Sequence, residues 1–309
     1  MSNTSRNKRT VNGVLLLDKP AGMTSNQCLQ RAKRLFQARK AGHTGSLDKP
    51  ATGLLPLCFG EATKFSGLLL NADKEYLATC RLGVQTTTGD ADGEIISTLP
   101  VPRLTSHDIE KFLDRFKGEI TQVPPMYSAL KQDGQRLYKL AYQGVEVERA
   151  PRKVHIYELE LLEFNHDSLQ IRVFCSKGTY IRTLVEDIGN AIGCKASIMA
   201  LRRTHSGPFS SETMVTLEQL EHLAERGIAE VDSTLLPIDS LLVNIPDVHL
   251  TQTSSHYISQ GSPVTVPGLP VEGMVRIYSD QDVLLGLGEV RDDGRLAPKR
   301  MISRPELGV

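Results

Sequence analysis

Between Ala41 and Gly60 the chain carries Gly42, Gly45, Gly53 and Gly60 with Pro50 and Pro56, and the one carboxylate in that stretch is Asp48. A carboxylate in such a loop can act as nucleophile or base near neutral pH, provided it stays ionised in a closed site. The same composition also describes an ordinary turn aspartate, and on loop composition alone the turn is the commoner outcome. Rival chemistries find less support. The five cysteines (Cys28, Cys58, Cys80, Cys175, Cys194) are scattered without a C-x-x-C pair, which speaks against a disulfide framework and a zinc site. The eight histidines show no H-x-x-x-H spacing, and there is no G-x-x-x-x-G-K-[ST] phosphate loop. A glycosidase would need a second acid beside Asp48, and these loops offer no obvious one.

The elements that must hold Asp48 can be read from periodicity. Val14–Leu17 is a short buried-strand candidate that ends in the turn Asp18-Lys-Pro-Ala-Gly22. Thr24 to Gln27 reads as a capping box, and Cys28, Leu29, Ala32, Leu35 and Phe36 recur at helical spacing, so a helix is expected from about residue 25 to 38. Residues 41–60 look too rich in Gly and Pro for a long element and read as a functional loop. Strands are expected at 75–82, 154–164 and 169–175, the last two joined as a hairpin through Asn165-His-Asp167. Helices are expected from Ser106, ending at Gly118, and across Ile181 to Ile192. Strands and helices mix without regular βαβ alternation, so the fold class is α+β with a mixed, largely antiparallel sheet flanked by helices. Residues 124–152 have a basic and aromatic texture without a clean period and read as an arm. From about Pro246 short apolar runs between turns indicate a small, separate all-β module, 246–309, which carries the cluster Arg291, Arg295, Lys299, Arg300 and Arg304.

With 309 residues, 40% hydrophobic and 23% charged, the chain is an ordinary globular protein. No apolar run approaches the roughly 18 residues of a bilayer span. Residues 1–11 read as a disordered basic tail without a secretory h-region, on a cytoplasmic protein. Net charge is zero, yet residues 1–64 hold 11 Lys/Arg against 3 Asp/Glu, while residues 211–309 hold 7 against 15. A basic block of that size can attract a polyanion.

Asp18-Lys-Pro-Ala-Gly-Met-Thr-Ser25, Gly42-His-Thr-Gly-Ser-Leu-Asp48, Ala51-Thr-Gly-Leu-Leu-Pro56 and Gly60-Glu-Ala-Thr-Lys64 follow one another in order. They continue through Lys74-Glu-Tyr76, Thr87-Thr-Gly-Asp-Ala-Asp-Gly93, Pro124-Pro-Met-Tyr-Ser-Ala-Leu-Lys131, Ser176-Lys-Gly-Thr-Tyr-Ile-Arg182 and Leu201-Arg-Arg-Thr204. Together, over roughly residues 12 to 210, these runs resemble the TruB family of tRNA pseudouridine synthases. The 124–152 arm is similar to that of the family's bacterial tRNA enzymes, where it covers the T loop, and residues 246–309 resemble a PUA-type RNA-binding module.

The resemblance implies a pseudouridine synthase fold over 12–245 and isomerisation of the uridine at position 55 of the tRNA T loop, without metal or cofactor. Absent cofactor motifs fit a redox-neutral isomerisation. Asp48 matches the family's essential carboxylate, which attacks the sugar or assists a glycal intermediate, and Arg182 matches the arginine that pairs with it. Tyr76 matches the aromatic that stacks on the flipped uracil and takes part in proton removal. His43, Tyr180 and Leu201 match positions around the flipped nucleotide. Lys19 and Pro20 match a motif that supports the catalytic loop. Two departures stand out: Lys49 follows Asp48 with Pro50 one place late, and Tyr142 replaces the arginine that usually ends the arm motif. The partner is tRNA, with no membrane and no obligate protein partner, and a monomer is expected. The alternative is a tRNA-binding or folding module that keeps the fold without the chemistry.

Overall fold

Some strands alternate buried with open side chains and others are buried along most of their length, and their order decides which loops meet. The computed structural model describes residues 8–132 and 134–303. Arg304 and the first seven residues of the expected basic tail lie outside the described residues. The main sheet contains β1 Gly13–Lys19, β2 Ala41–His43, β3 Thr52–Phe59, β4 Lys74–Leu82, β5 Gly118–Gln122, β6 Arg152–Asn165, β7 Ser168–Cys175, β8 Ala196–Ser206 and β9 Phe209–Ser210. Their spatial order is β1-β3-β8-β4-β7-β6-β5, with β2 beside β3 and β9 beside β8. Among these neighbours only β3 and β8 run parallel, which is the mixed, largely antiparallel sheet expected of an α+β fold. The β6–β7 hairpin turns at His166, in the left-handed region at φ 42°.

Six helices bear on the site and its frame: α1 Ser25–Leu35, α2 Ser106–Asp114, α3 Leu137–Tyr142, α4 Ile181–Ile192, α5 Leu217–Arg226 and α6 Gln252–Ser259. The capping box of α1 is present: the Gln27 N–H donates to Thr24 Oγ1 at 3.2 Å, and the Thr24 N–H donates to Gln27 Oε1 at 2.8 Å. The helix stops at Leu35, short of residue 38, because Gln37 takes φ 50°. Helix α2 likewise stops before Gly118, whose φ of 85° instead opens β5. Helix α4 buries Ile181, Leu184, Val185, Ile188 and Ile192 against the sheet and ends at Gly193, φ 90°. At roughly 1.5–3 kcal/mol for each such side chain, this face fixes α4, and with it the starting point of Arg182.

The expectation of no long element in 41–60 is corrected by β3, an eight-residue strand buried along nearly its whole length. Its two breaking residues each meet a local need. Pro56 turns its carbonyl to the Thr44 N–H, at 3.2 Å, on the side away from β1, so its missing N–H leaves the β1–β3 ladder intact. Gly53 takes φ 96°, and a Cβ there would stand 2.3 Å from the Arg203 carbonyl oxygen. Glycine thus allows β3 and β8 to approach.

Residues 246–303 are not all-β. Strands β10 Asp247–His249, β11 Gly273–Tyr278, β12 Leu284–Val290 and β13 Leu296–Met301 form a four-stranded sheet in that order, with β10 and β11 parallel, and α6 is added to it. The sequence does not announce this helix, because Gln252–Ser259 has one fully buried apolar residue, Ile258, and so no helical period. Nor is the module insulated from the rest. Leu287, Met274, Leu284 and Ile302 pack into one cluster with Val14, Leu16, Phe65 and Leu69. Lys64 Nζ donates to the Met301 carbonyl at 2.9 Å, and the Ser303 N–H donates to Glu61 Oε2 at 2.7 Å. Leu287→Ala is therefore expected to destabilise the whole chain by about 2–5 kcal/mol, the cost of a large-to-small change in a closed core. Urea unfolding followed by tyrosine fluorescence should shift as a single transition. Two separate transitions, with the one assigned to the main sheet unmoved, would contradict the shared core.

The charge blocks partly cancel in space. Arg9 Nη1 lies 2.7 Å from Asp232 and Arg31 Nη2 lies 2.7 Å from Glu221, so the basic N-terminal block is partly neutralised by acids of the 211–309 segment. Lys64 pairs with Glu61 at 2.7 Å. The expectation of a disordered tail is corrected for residues 8–11: the Arg9 N–H donates to the Gln37 carbonyl at 2.9 Å, and Val11 is buried. No helix among the described residues is long and apolar enough to cross a membrane.

Candidate active site

Asp48 sits in the loop from β2 to β3, which is held from both sides. The buried Lys19, at the end of β1, donates through Nζ to the carbonyls of Pro20 at 2.9 Å, Lys49 at 3.2 Å and Ala51 at 2.5 Å. The Gly22 N–H donates to the Lys49 carbonyl at 3.0 Å, and the Ala51 N–H donates to the Asp48 carbonyl at 3.2 Å, closing a turn across Lys49 and Pro50. The Leu47 N–H donates to Ser25 Oγ at 2.8 Å. The unusual Lys49-Pro50 order is thereby absorbed by backbone bonds, and the carboxylate still points at its partner. That partner is Arg182, in the first turn of α4, whose Nε stands 3.0 Å from Asp48 Oδ2. The contact lies off the N–H direction and acts as an ion pair. Arg182 is 4% exposed and is aimed by two carbonyls, Thr88 at 2.8 Å from Nη1 and Tyr127 at 2.7 Å from Nη2.

Asp48, Arg182 and Leu201 line one cleft together with Pro50, Ala51, Asp90 and residues 198–200 of β8. The Asp48 side chain is 44% exposed at the mouth, while protein encloses the carboxyl group on its other sides. Enclosure pushes its pKa above the usual carboxylate value, and nearby Asp90 adds to this; Arg182 and Lys19 oppose it. Asp90 Oδ2 is 3.9 Å from Arg182 Nε, and its other oxygen accepts from Thr88 Oγ1 at 2.5 Å and the Asp92 N–H at 3.1 Å.

His43, Tyr76 and Tyr180 are not part of this lining. Tyr76, on β4 between Val173 of β7 and Arg203 of β8, packs on the core. Burial drives its pKa up, so the phenol stays protonated. His43 ends β2; burial first, then Arg203 and Arg136, lower its pKa, so the imidazole is neutral near pH 7, with Nδ1 lacking a partner among the described residues. Tyr180 is the N-cap of α4, its backbone tied to Gln122 at 3.0 Å and 3.2 Å, with the Arg152 guanidinium 4.7 Å over its ring. Two supports of the site are not legible from single residues. Asp90 lies inside the Thr87–Gly93 run, where nothing local marks it out. Arg203 is 1% exposed and donates from Nε to the Leu54 carbonyl at 2.7 Å and from Nη2 to Gly45 at 3.2 Å, holding the glycine loop beside His43. Sequence could flag it only as a charge at an inward position of a strand.

Three family models cover most of the chain: the N-terminal domain of TruB family pseudouridylate synthases at residues 33–181, the tRNA pseudouridylate synthase B C-terminal domain at 182–243, and the C-terminal region of pseudouridine synthase II TruB at 246–302. The chain belongs to the TruB family. Relatives named tRNA pseudouridine synthase B include that of Nitrosococcus oceani, 54% identical over 94% of this chain and 95% of the relative. That of Stutzerimonas stutzeri is 54% identical over 98% and 99%, and that of Coxiella burnetii 51% over 96% of each. Among solved structures, the chain is similar to one in a Cbf5-Nop10-Gar1 complex, with TM-score 0.72 and 28% identity over 95% of this chain and 84% of that one. An H/ACA RNP bound to a substrate RNA containing 2'-deoxyuridine gives TM-score 0.72 and 26% identity over 96% and 86%. The likeness extends along nearly the whole chain, so TruB family membership covers the cleft residues and the module alike.

Proposed function

We propose that this chain isomerises the uridine at position 55 of the tRNA T loop to pseudouridine. The observation that carries the reading is the Asp48–Arg182 pair, 3.0 Å apart at the mouth of a concave cleft, in a chain of the TruB family. In the reaction the C1′–N1 bond breaks, uracil turns, and a C1′–C5 bond forms; the proton leaving C5 balances the one gained at N1. The Asp48 carboxylate serves either by adding to C1′ or by assisting a glycal intermediate. Arg182 keeps that carboxylate ionised and aimed. Leu201 gives the flipped base an apolar wall in the cleft, and Tyr76, outside that lining, is the aromatic that would meet the extruded base's uncovered π-face with RNA bound. The raised pKa of Tyr76 favours stacking over service as a phenolate base. His43 and Tyr180 complete the surround of the nucleotide. Residues 246–309 serve as a PUA-like module that adds affinity for tRNA and contributes no catalytic group.

The test is an unmodified tRNA transcript incubated with purified protein, with pseudouridine mapped by position. One product at the T-loop uridine is expected. A protein that binds the transcript and leaves it unmodified would favour the tRNA-binding alternative.

A pH prediction follows from the site's electrostatics. If Asp48 must be ionised, its raised pKa means that activity is lost, as pH falls, through a midpoint above the ordinary 3.8. Asp90 contributes to that rise, so Asp90→Asn, which keeps the Oδ1 acceptor, should move the acid limb of kcat/KM to lower pH. An acid limb that stays in place or moves up would contradict the assignment.

A further inference from the structure

The arm carries an aromatic group that lies outside the cleft lining. Backbone bonds fold residues 128–138 back on themselves, from the Leu137 N–H to the Leu130 carbonyl at 2.8 Å and from the Tyr138 N–H to the Ser128 carbonyl at 3.1 Å. Leu137 is buried and anchors α3, which carries Tyr142 at its far end. The Tyr142 ring stands edge-to-face with Tyr127, centroids 5.6 Å apart at 79°, and with Tyr138, 6.4 Å apart at 78°. Two tyrosines thus set its orientation while Tyr142 remains 78% exposed. A large ring held that way and left open is ready for a flat partner.

The surroundings say which partner. Lys131, Arg136 and Lys139, on the same folded segment, are all exposed. The segment also abuts the active site, since the carbonyl of Tyr127, whose ring holds Tyr142, accepts from Arg182 Nη2 at 2.7 Å, and Arg182 faces Asp48. A flat group beside cations, next to a site that acts on RNA, is an unpaired nucleotide: the base stacks and the flanking phosphates meet the cations.

We propose that Tyr142 is a stacking platform for an unpaired base of the RNA substrate other than the target uridine, with Lys131, Arg136 and Lys139 taking the adjacent phosphates. This rests on the T-loop reading above. The ring holds the loop open beside the cleft, so its effect falls on binding and leaves the bound chemistry alone.

The experiment uses the full chain and a labelled T-arm stem-loop RNA, measuring Kd by anisotropy across a salt series and the single-turnover rate at saturating RNA. Tyr142→Phe keeps the π-face and should bind within about twofold of the unsubstituted protein. Tyr142→Ala and Tyr142→Leu should each weaken binding by about 5- to 100-fold, the scale of one lost base–aromatic stack. Leucine preserves helix propensity, so a shared loss cannot come from melting α3. The salt slope should be unchanged in all three, since stacking releases no counterion, whereas Lys139→Ala should flatten it by about 0.7–0.9. Rates at saturation should stay within a few-fold. Tight binding by the unsubstituted protein with Ala and Leu variants within twofold of it overturns the proposal and leaves the T-loop reading intact. An unsubstituted protein that does not bind the stem-loop overturns both.

Discussion

Asp48→Asn is expected to abolish pseudouridine formation, with the single-turnover rate falling on the order of 10⁴-fold, the scale seen when a charged member of a catalytic group is removed. Asparagine is nearly isosteric, and the loop around it is held by backbone atoms: the Asp48 carbonyl accepts from the Ala51 N–H, and Lys19 grips the neighbouring carbonyls. The fold should therefore survive. What disappears is the negative charge that can attack the sugar or steady positive character there. Because the change leaves Arg182 without its counter-charge beside an incoming polyanion, tRNA affinity should hold or increase. Both quantities belong to one preparation: a rate near that of the unsubstituted protein would remove Asp48 from the mechanism, and loss of binding together with rate would point to a damaged fold.

Arg182→Met should lower the single-turnover rate by about 10²- to 10³-fold, through position and charge together. The guanidinium satisfies the Thr88 and Tyr127 carbonyls while facing Asp48, so methionine strands two acceptors and leaves an enclosed carboxylate unpaired. Breaking a fully buried pair from one side costs about 3–5 kcal/mol; with Asp48 44% exposed, solvent screens this pair and the cost falls below that range. Without Arg182 the Asp48 pKa rises further, since Arg182 is the largest influence holding it down, and the acid limb should move to higher pH. The shift separates this role from simple support of the fold: an Arg182→Met protein that loses rate equally at all pH values would contradict the charge assignment. Lysine should rescue poorly, because one ammonium cannot reach two carbonyls and a carboxylate in fork geometry.

These expectations draw on residues legible to different degrees before the chain was folded. Asp48 stood out as the lone acid in a Gly/Pro stretch, and helix α4 was visible from its 3.6-residue apolar period, so Arg182 could be placed in that helix's first turn. The stretch from His43 to Pro56, twelve residues apart from its ends, is less readable. Gly and Pro there suggested a loop, yet β3 runs through them because each is tolerated at its own position: Gly53 by the close approach of β8, Pro56 by facing away from β1. Those permissions are given by neighbours distant in sequence. The same holds for α6, whose polar sequence gains its one anchor, Ile258, only from the sheet it covers.

Local sequence determined the α+β class, the hairpin at 165–168, the capping box of α1 and the family's motifs in order, because periodicity, turn chemistry and caps act between residues a few places apart. Tertiary structure alone decided what those motifs do to one another. It brought Thr88 and Tyr127 carbonyls onto Arg182 and set Asp90 beside it. It paired Arg9 and Arg31 with Asp232 and Glu221, so that a basic block read from the chain is partly neutralised in space. It also joined the 246–303 segment to the main core through Leu287, where composition had indicated a separate module. The physical reason is common to all: charge pairing, desolvation and close packing depend on distances across the fold, and a one-dimensional pattern holds no record of them until strand order is set.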